Sequence, residues 1–254
     1  GWRIFLSFSI LLIVLTIILS FVGLKFVQKA ATDNASNELR VLSVTISQQV
    51  QRYLKRLESG LKSLSANSGV LDLELGRENF NKKRIDKFLA AKLTQLPNFD
   101  ELALFDVMGT CVASTDPNWS GLPASRELFF INGLKRFNFA EIFESNEEVE
   151  KVLLASTPIH EGMDPHGVLV GRVNLSALYD LMGQQLAVAG NAEAFLLDSK
   201  LRFIIPAKNA PDELRQSHLA ATPLIQHLQD EFWVGRYQNY KGSEVLGTVL
   251  KVPG

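Results

Sequence analysis

Imidazole and thiol chemistry in this chain would rest on few residues, because its 254 residues include four histidines and one cysteine. His160 and His166 stand six apart across a Gly/Pro-containing loop, which offers neither the helical nor the hairpin geometry of a ligand pair. His218 and His227 are nine apart on a predicted helix, roughly opposite one another at about 100° per residue. No metal site is predicted from either pair. Cys111, alone, allows no internal disulfide and no cysteine-based zinc site. Its neighbours Thr110 and Val112 lie in an apolar stretch, so a buried strand position is expected. Gly-x-Ser-x-Gly, His-Glu-x-x-His, Walker and Gly-x-Gly-x-x-Gly patterns are missing from the sequence, so neither catalytic residues nor a cofactor site is predicted. What the chain offers instead is aromatic surface. Trp119, Phe129, Phe130, Phe139 and Phe143 have the spacing to line an apolar pocket, though about three of five such residues are ordinarily plain packing.

The elements that would position these residues begin with a span. Residues 4–24 carry no charge, and 21 residues at about 1.5 Å each cover roughly 31 Å, the thickness of a bilayer core. A cleaved signal peptide has a shorter apolar core, and Ala30-Ala31 is a weak cleavage site, so a transmembrane helix is expected. Arg3 precedes the run while Lys25 and Lys29 follow it, so flanking charge leaves the orientation undetermined. Neither Gly nor Pro occurs between Lys25 and Ser59. Leu39, Leu42, Ile46, Val50, Tyr53, Leu57, Leu61 and Leu64 recur in steps of three and four, which predicts one helix continuing to about Ala66. Its seam can pack on the chain's own domain, on a partner helix in a homodimer, or on both.

Beyond residue 69 the pattern shortens. A helix is predicted over 80–96, ended by Pro97, followed by strands 101–107 and 110–115 around a Met108-Gly109 turn. A loop through Asp116-Pro117-Asn118 leads to a helix predicted from about Ser125, its N-cap, to Phe137. Strands over 139–143 and 149–156, then 166–173, precede a short helix from Leu175 to about Gln185 capped by Asn174. After Gly190 come hairpins over 194–205 and 232–252, with helical spacing over 214–228 between them. Charge is balanced at 26 basic and 27 acidic residues without a basic block, which argues against a nucleic-acid partner. The acidic run Glu141, Glu144, Glu147, Glu148 and Glu150 is expected to be a solvated edge and turn.

The order of these pieces resembles the double Cache sensor domain. The resemblance rests on "LALFDVMGTCVASTDP" (102–117), "SRELFFINGL" (125–134), "VLLASTPI" (152–159), "HGVLVGRVNLSAL" (166–178), "AFLLDSKLRFI" (194–204) and "GRYQNYKGSEVLGTVLKVPG" (235–254). It implies an α+β fold of two PAS-like antiparallel-sheet modules: a transmembrane helix over 1–26, a long helix over 27–66, a membrane-distal module over 67–186 and a membrane-proximal module over 187–254, with a further strand and a second span expected beyond Gly254. It also implies a small-molecule pocket in the distal module and a position outside the inner membrane. There, an Arg at the start of the pocket helix, followed by two aromatics, grips a ligand carboxylate; Arg126 matches it, while Leu128 and Phe129 stand for the aromatic pair. An acidic residue ending the "GRVN" strand would hold a ligand ammonium, and here it is Asn174. The ligand-binding residues so implied are Arg126, Phe129, Phe143, Asn174 and Trp119, and the implied ligand is a small organic acid in place of an amino acid.

The function expected is therefore extracytoplasmic sensing for a transmembrane receptor: a sensor histidine kinase or diguanylate cyclase, or alternatively a methyl-accepting chemoreceptor, with any enzymatic output beyond residue 254. A pilin-like subunit is the structural rival, since it also joins an apolar helix to a β-rich head. Pilins carry Glu at the fifth residue of the mature helix, the position of Phe5 if Gly1 is the mature start, and their head is usually smaller.

Overall fold

The computed structural model describes residues 2–66, 81–145, 149–161, 164–187, 192–198, 202–206, 226–227, 230–239 and 241–252; the side chains of 2–23, 141–145, 149–151 and 161 are outside the description. The chain divides into two compact units, one formed by residues 1–47 with 221–252, the other by 48–220 with 253–254.

Helix α1, Trp2–Ala66, contributes to both units and ends where the seam predicts. The backbone of residues 4–24 is part of it, but all side chains of that run except the last lie outside the description. Among the described residues no helix is long and apolar enough to cross a membrane. In the larger unit Val50, Tyr53, Leu57, Leu61 and Leu64 form a buried stripe, whereas Leu39, Leu42 and Ile46 in the other unit are only half-buried. Helix α2, Lys82–Leu93, starts at Asn81, whose side chain accepts the Arg84 N–H at 3.2 Å. It buries Ile85 and Leu89 and packs on the first two strands.

Five strands follow: β1 Phe99–Asp106, β2 Cys111–Ser114, β3 Asn138–Ser145, β4 Val149–Glu161 and β5 Asp164–Val173. They make one antiparallel sheet in the order β2-β1-β5-β4-β3. Residues directly opposite in register share a face. Glu101, Arg172 and Leu154 form one such row, Ala103, Val170 and Ser156 the next, and Phe105, Val168 and Pro158 the third. The alternate residues Leu102, Leu104, Leu169 and Ala155 are fully buried on the other face. A sheet covered on both faces reads as continuous hydrophobic runs, as 102–105 and 168–170 do.

Helix α3, Leu128–Gly133, covers the first of these faces over β3, β4 and β5. It is shorter than the helix expected from Ser125 to Phe137, and its N-cap is Glu127, which makes no side-chain capping bond. The cause lies in the β1–β2 turn. Gly109 has φ +82°, and a Cβ there would stand 2.6 Å from the Ser125 nitrogen. Ala124 donates its N–H to the Gly109 carbonyl at 2.6 Å, and Thr110 bridges Pro123. Pro123 and Ala124 are tied to that turn, and Ser125 and Arg126 form a turn of their own closed by the Glu127 N–H on the Ala124 carbonyl at 2.9 Å, so the helix starts later. The last helix of this unit, α4 Leu175–Leu186, starts as predicted, with the Asn174 Oδ1 accepting the Ala177 N–H at 2.7 Å.

A short hairpin, β6 Leu196–Leu197 and β7 Phe203–Ile205, completes the described part of the larger unit. The smaller unit holds β8 Phe232–Gln238 and β9 Glu244–Leu250, closed by a turn with Gly242 at φ +74°. Arg40 of α1 lies over the Phe232 ring at 5.0 Å, and Arg236 reaches Thr32 at 3.3 Å and Glu244 at 2.9 Å. The helix expected over 214–228 falls outside the described residues except at 226–227.

Candidate functional site

The sheet face beneath α3 carries an aromatic wall. Phe105 of β1 meets the Trp119 ring edge-on at 6.0 Å and the Phe129 ring at 5.5 Å, and Trp119 and Phe129 are 6.5 Å apart at 74°. Phe129 and Phe130 are buried in one cluster with Ala103, Phe105, Val152, Leu154, Val168 and Val170, while Trp119 is half-buried at its margin. Two local features fix this arrangement. Trp119 ends a 3-10 turn, Pro117–Trp119, capped by Asp116, whose side chain accepts the Asn118 N–H at 3.0 Å. The buried Ser156 hydroxyl donates to the Phe129 carbonyl at 2.8 Å, pinning α3 to β4.

A charge pair borders the wall. Glu101 Oε1 accepts Arg172 Nη1 at 3.1 Å, and Oε2 accepts the Trp119 indole N–H at 2.8 Å. Their side chains keep 21 % (Arg172) and 19 % (Glu101) of their exposure, so the pair is largely desolvated without being sealed off. Neither residue is among those singled out from sequence. The available signal was strand phase: Glu101 alternates with Ala103 and Phe105, and Arg172 with Val168 and Val170, so both charges sit at positions whose neighbours point into the core.

The residues predicted to bind ligand are spread unevenly. Trp119 and Phe129 come together in the aromatic wall. Phe143 pairs with Lys151 in the β3–β4 ladder, and its side chain lies outside the description. Asn174 is committed locally: its Oδ1 caps α4, its N–H donates to Asn98 O at 2.9 Å, and its carbonyl accepts the Tyr53 hydroxyl at 2.8 Å. Arg126 is exposed, between Ser125 and Glu127, with no hydrogen bond or ion pair to any described residue. No bond among the described residues joins Arg126 or Asn174 to the Trp119–Phe129 pair.

The histidine pair 160/166 lies in a hairpin and not in a loop. His160 pairs with Pro165 across β4 and β5, while His166 is the unpaired residue where the register shifts between Ile159 and His160. Among the described residues no group of three His, Cys, Asp or Glu is placed to hold a metal. Cys111 is buried on β2, and burial pushes its thiol up to about 11, so it is not a thiolate near neutral pH.

Tyr53 ties α1 to the sheet. Its hydroxyl lies within donating reach of Asn98 O at 3.3 Å and Asn174 O at 2.8 Å, at the start of β1 and the end of β5. Burial, followed by the nearby Asp100 charge, pushes its pKa from 10.0 up to about 12. A phenolate could not donate and would face two carbonyl oxygens. The folded state therefore favours the neutral phenol: this contribution is whole below pH 10 and is lost as pH rises towards 12. Denaturant titrations at pH 9 and 11.5 should show a loss of up to about 2 kcal/mol attributable to this group. Tyr53→Phe should be less stable than wild type at pH 9 and should lack that part of the alkaline loss. An identical alkaline profile for the variant would mean that the phenol is not held neutral by the fold.

Residues 25–254 match the Cache domain family. The sensory domain of the Campylobacter jejuni chemoreceptor Tlp3, solved with isoleucine bound, superposes with a TM-score of 0.65 at 17% identity, covering 87% of this chain and 89% of that one. The sensor domain of the Vibrio cholerae histidine kinase DctB gives 0.63 at 14%, covering 84% and 91%. The ligand-binding domain of the Pseudomonas aeruginosa amino-acid chemoreceptor PctC, solved with GABA, gives 0.55 at 14%, covering 85% and 98%. At these identities the likeness concerns the fold. No curated protein matches the chain.

Proposed function

Since the chain belongs to the Cache domain family, we propose that it is the extracytoplasmic ligand-sensing domain of a transmembrane signalling receptor and that its ligand is a small organic acid. The observation that carries this reading is the five-stranded sheet of order β2-β1-β5-β4-β3, with one face bearing an aromatic wall and a partly desolvated charge pair. At the margin of that buried face, the half-buried Trp119 and the charge pair supply an apolar ring and fixed polar groups that could orient a small ligand.

An acid is favoured by two features. Arg126 is an exposed guanidinium without a described partner, free to take a carboxylate through two parallel hydrogen bonds. Asn174, where a carboxylate would hold a ligand ammonium, is an amide already spent as a helix cap. Phe143 and the Trp119–Phe129 pair complete the proposed site, in a distal module over 67–186. The chemoreceptor and histidine-kinase structures support a signalling output of either kind equally, and a diguanylate cyclase remains within the same reading. In this account residues 1–26 cross the inner membrane, the receptor is a homodimer, and the segment itself carries out no reaction. A ligand that prefers one arrangement of the distal module shifts the population towards it, and α1 conveys the change.

Topology tests the receptor part of the proposal. A phosphatase active only outside the cytoplasm, fused after Gly254, should be active, and a reporter that matures only in the cytoplasm should be silent at the same position. The reverse pattern would overturn the extracytoplasmic reading.

A further inference from the structure

We propose that Arg172 and the Trp119 indole form a carboxylate subsite that Glu101 fills from within the chain, so that an acid ligand and Glu101 compete for the same two donors. The inference rests on the reading that the chain binds a small organic acid, and adds a second place on the protein for its carboxylate.

The geometry is that of a receptor for one carboxylate. Two donors from separate elements converge on it, the guanidinium of β5 on Oε1 at 3.1 Å and the indole of the 3-10 turn on Oε2 at 2.8 Å. One N–H on each oxygen, with one donor charged, is the arrangement by which proteins grip a carboxylate ligand. The indole is held in place by edge-on contacts with Phe105 at 6.0 Å and Phe129 at 6.5 Å. The β4 neighbour of Arg172 in register is Leu154, which is fully buried, so the pair borders the apolar core.

Stability gives little reason for such a pair on the core-facing side of a sheet. Partly buried ion pairs can often be replaced by apolar residues without loss, since desolvation offsets the attraction. Arg172 and Glu101 retain about a fifth of their side-chain exposure, so the pair is not sealed from solvent. Glu101 is tethered, so its effective concentration at the donors is high, and a simple acid with no other contact displaces it poorly. A ligand with a further apolar contact on the half-buried Trp119 ring, at the margin of the buried cluster, can win that competition. The pair thus acts as a filter, rejecting the simplest anions and admitting acids that also cover that ring.

The test uses the full 254-residue chain purified in detergent, with propionate as the probe, titrated by calorimetry. Glu101→Gln keeps an acceptor for the indole and removes the competing charge, so it should bind propionate at least tenfold more tightly than wild type. Adding Arg172→Gln should cancel that gain, and adding Arg126→Ala should leave it in place. Failure of Glu101→Gln to gain affinity, or a gain that survives Arg172→Gln, would overturn the proposal. A gain lost with Arg126→Ala but not with Arg172→Gln would sink this inference while leaving the organic-acid function standing. A gain dependent on Arg172 in a chain whose wild type binds no acid at all would do the opposite. Should Glu101→Gln not fold, Glu101→Asp, which withdraws the carboxylate by one methylene, should still tighten propionate binding, and unchanged affinity there would count against the subsite.

Discussion

Leu57→Asp should abolish cooperative unfolding of the larger unit, or lower its stability by about 4 kcal/mol or more, the scale of an unpaired charge in a buried apolar site. Leu57 has no solvent exposure and sits mid-stripe on α1 between Tyr53 and Leu61, themselves 2% and 0% exposed. A carboxylate there has no partner and no route to water. Gln51→Asp, on the exposed face of the same helix, should change stability by no more than about 0.5 kcal/mol. Urea titrations followed by circular dichroism separate the two. If Leu57→Asp kept the wild-type midpoint, the stripe would not be part of the core, and α1 could not report on the sheet.

That stripe was legible from sequence because steps of three and four over 39–64 are a strong periodic signal in a stretch without Gly or Pro. What periodicity could not separate was how deeply each residue is buried. Ile46 and Leu57 look alike in the pattern, yet only Leu57 is sealed, because burial depends on which unit covers each turn. The strands, the Gly109 turn and the Asn174 cap were likewise readable, since turn and cap chemistry act within a few residues. The start of α3 was not. Ser125 is a good N-cap in isolation, but its backbone packs against Gly109, sixteen positions earlier, and it sits in a turn ahead of the helix.

Of the candidate site, the sequence singled out Trp119 and Phe129 as aromatics that could line a pocket, and the structure brings their rings to 6.5 Å, with Phe129 buried in the core and Trp119 at its margin. Glu101 and Arg172 escaped notice because a charged residue in a strand reads as solvent-facing until the register shows which face it shares. Their pairing spans 71 positions and depends on the β1–β5 ladder, which no local pattern encodes.

Ligand binding has the second large effect and bears on the central claim. If Arg126 supplies the carboxylate grip, a small organic acid at about 100 times its dissociation constant should stabilise the fold by roughly 2.7 kcal/mol. Arg126 is exposed and makes no bond with a described residue, so Arg126→Ala should leave the unliganded midpoint nearly unchanged while removing that stabilisation. The direct measurement is a thermal-shift panel of small mono- and dicarboxylates, α-amino acids and polyamines on wild type and Arg126→Ala. The account predicts upward shifts for one or more acids that carry no amine, absent in the variant. A shift given only by an amino acid or a polyamine, and retained in full by Arg126→Ala, would contradict it.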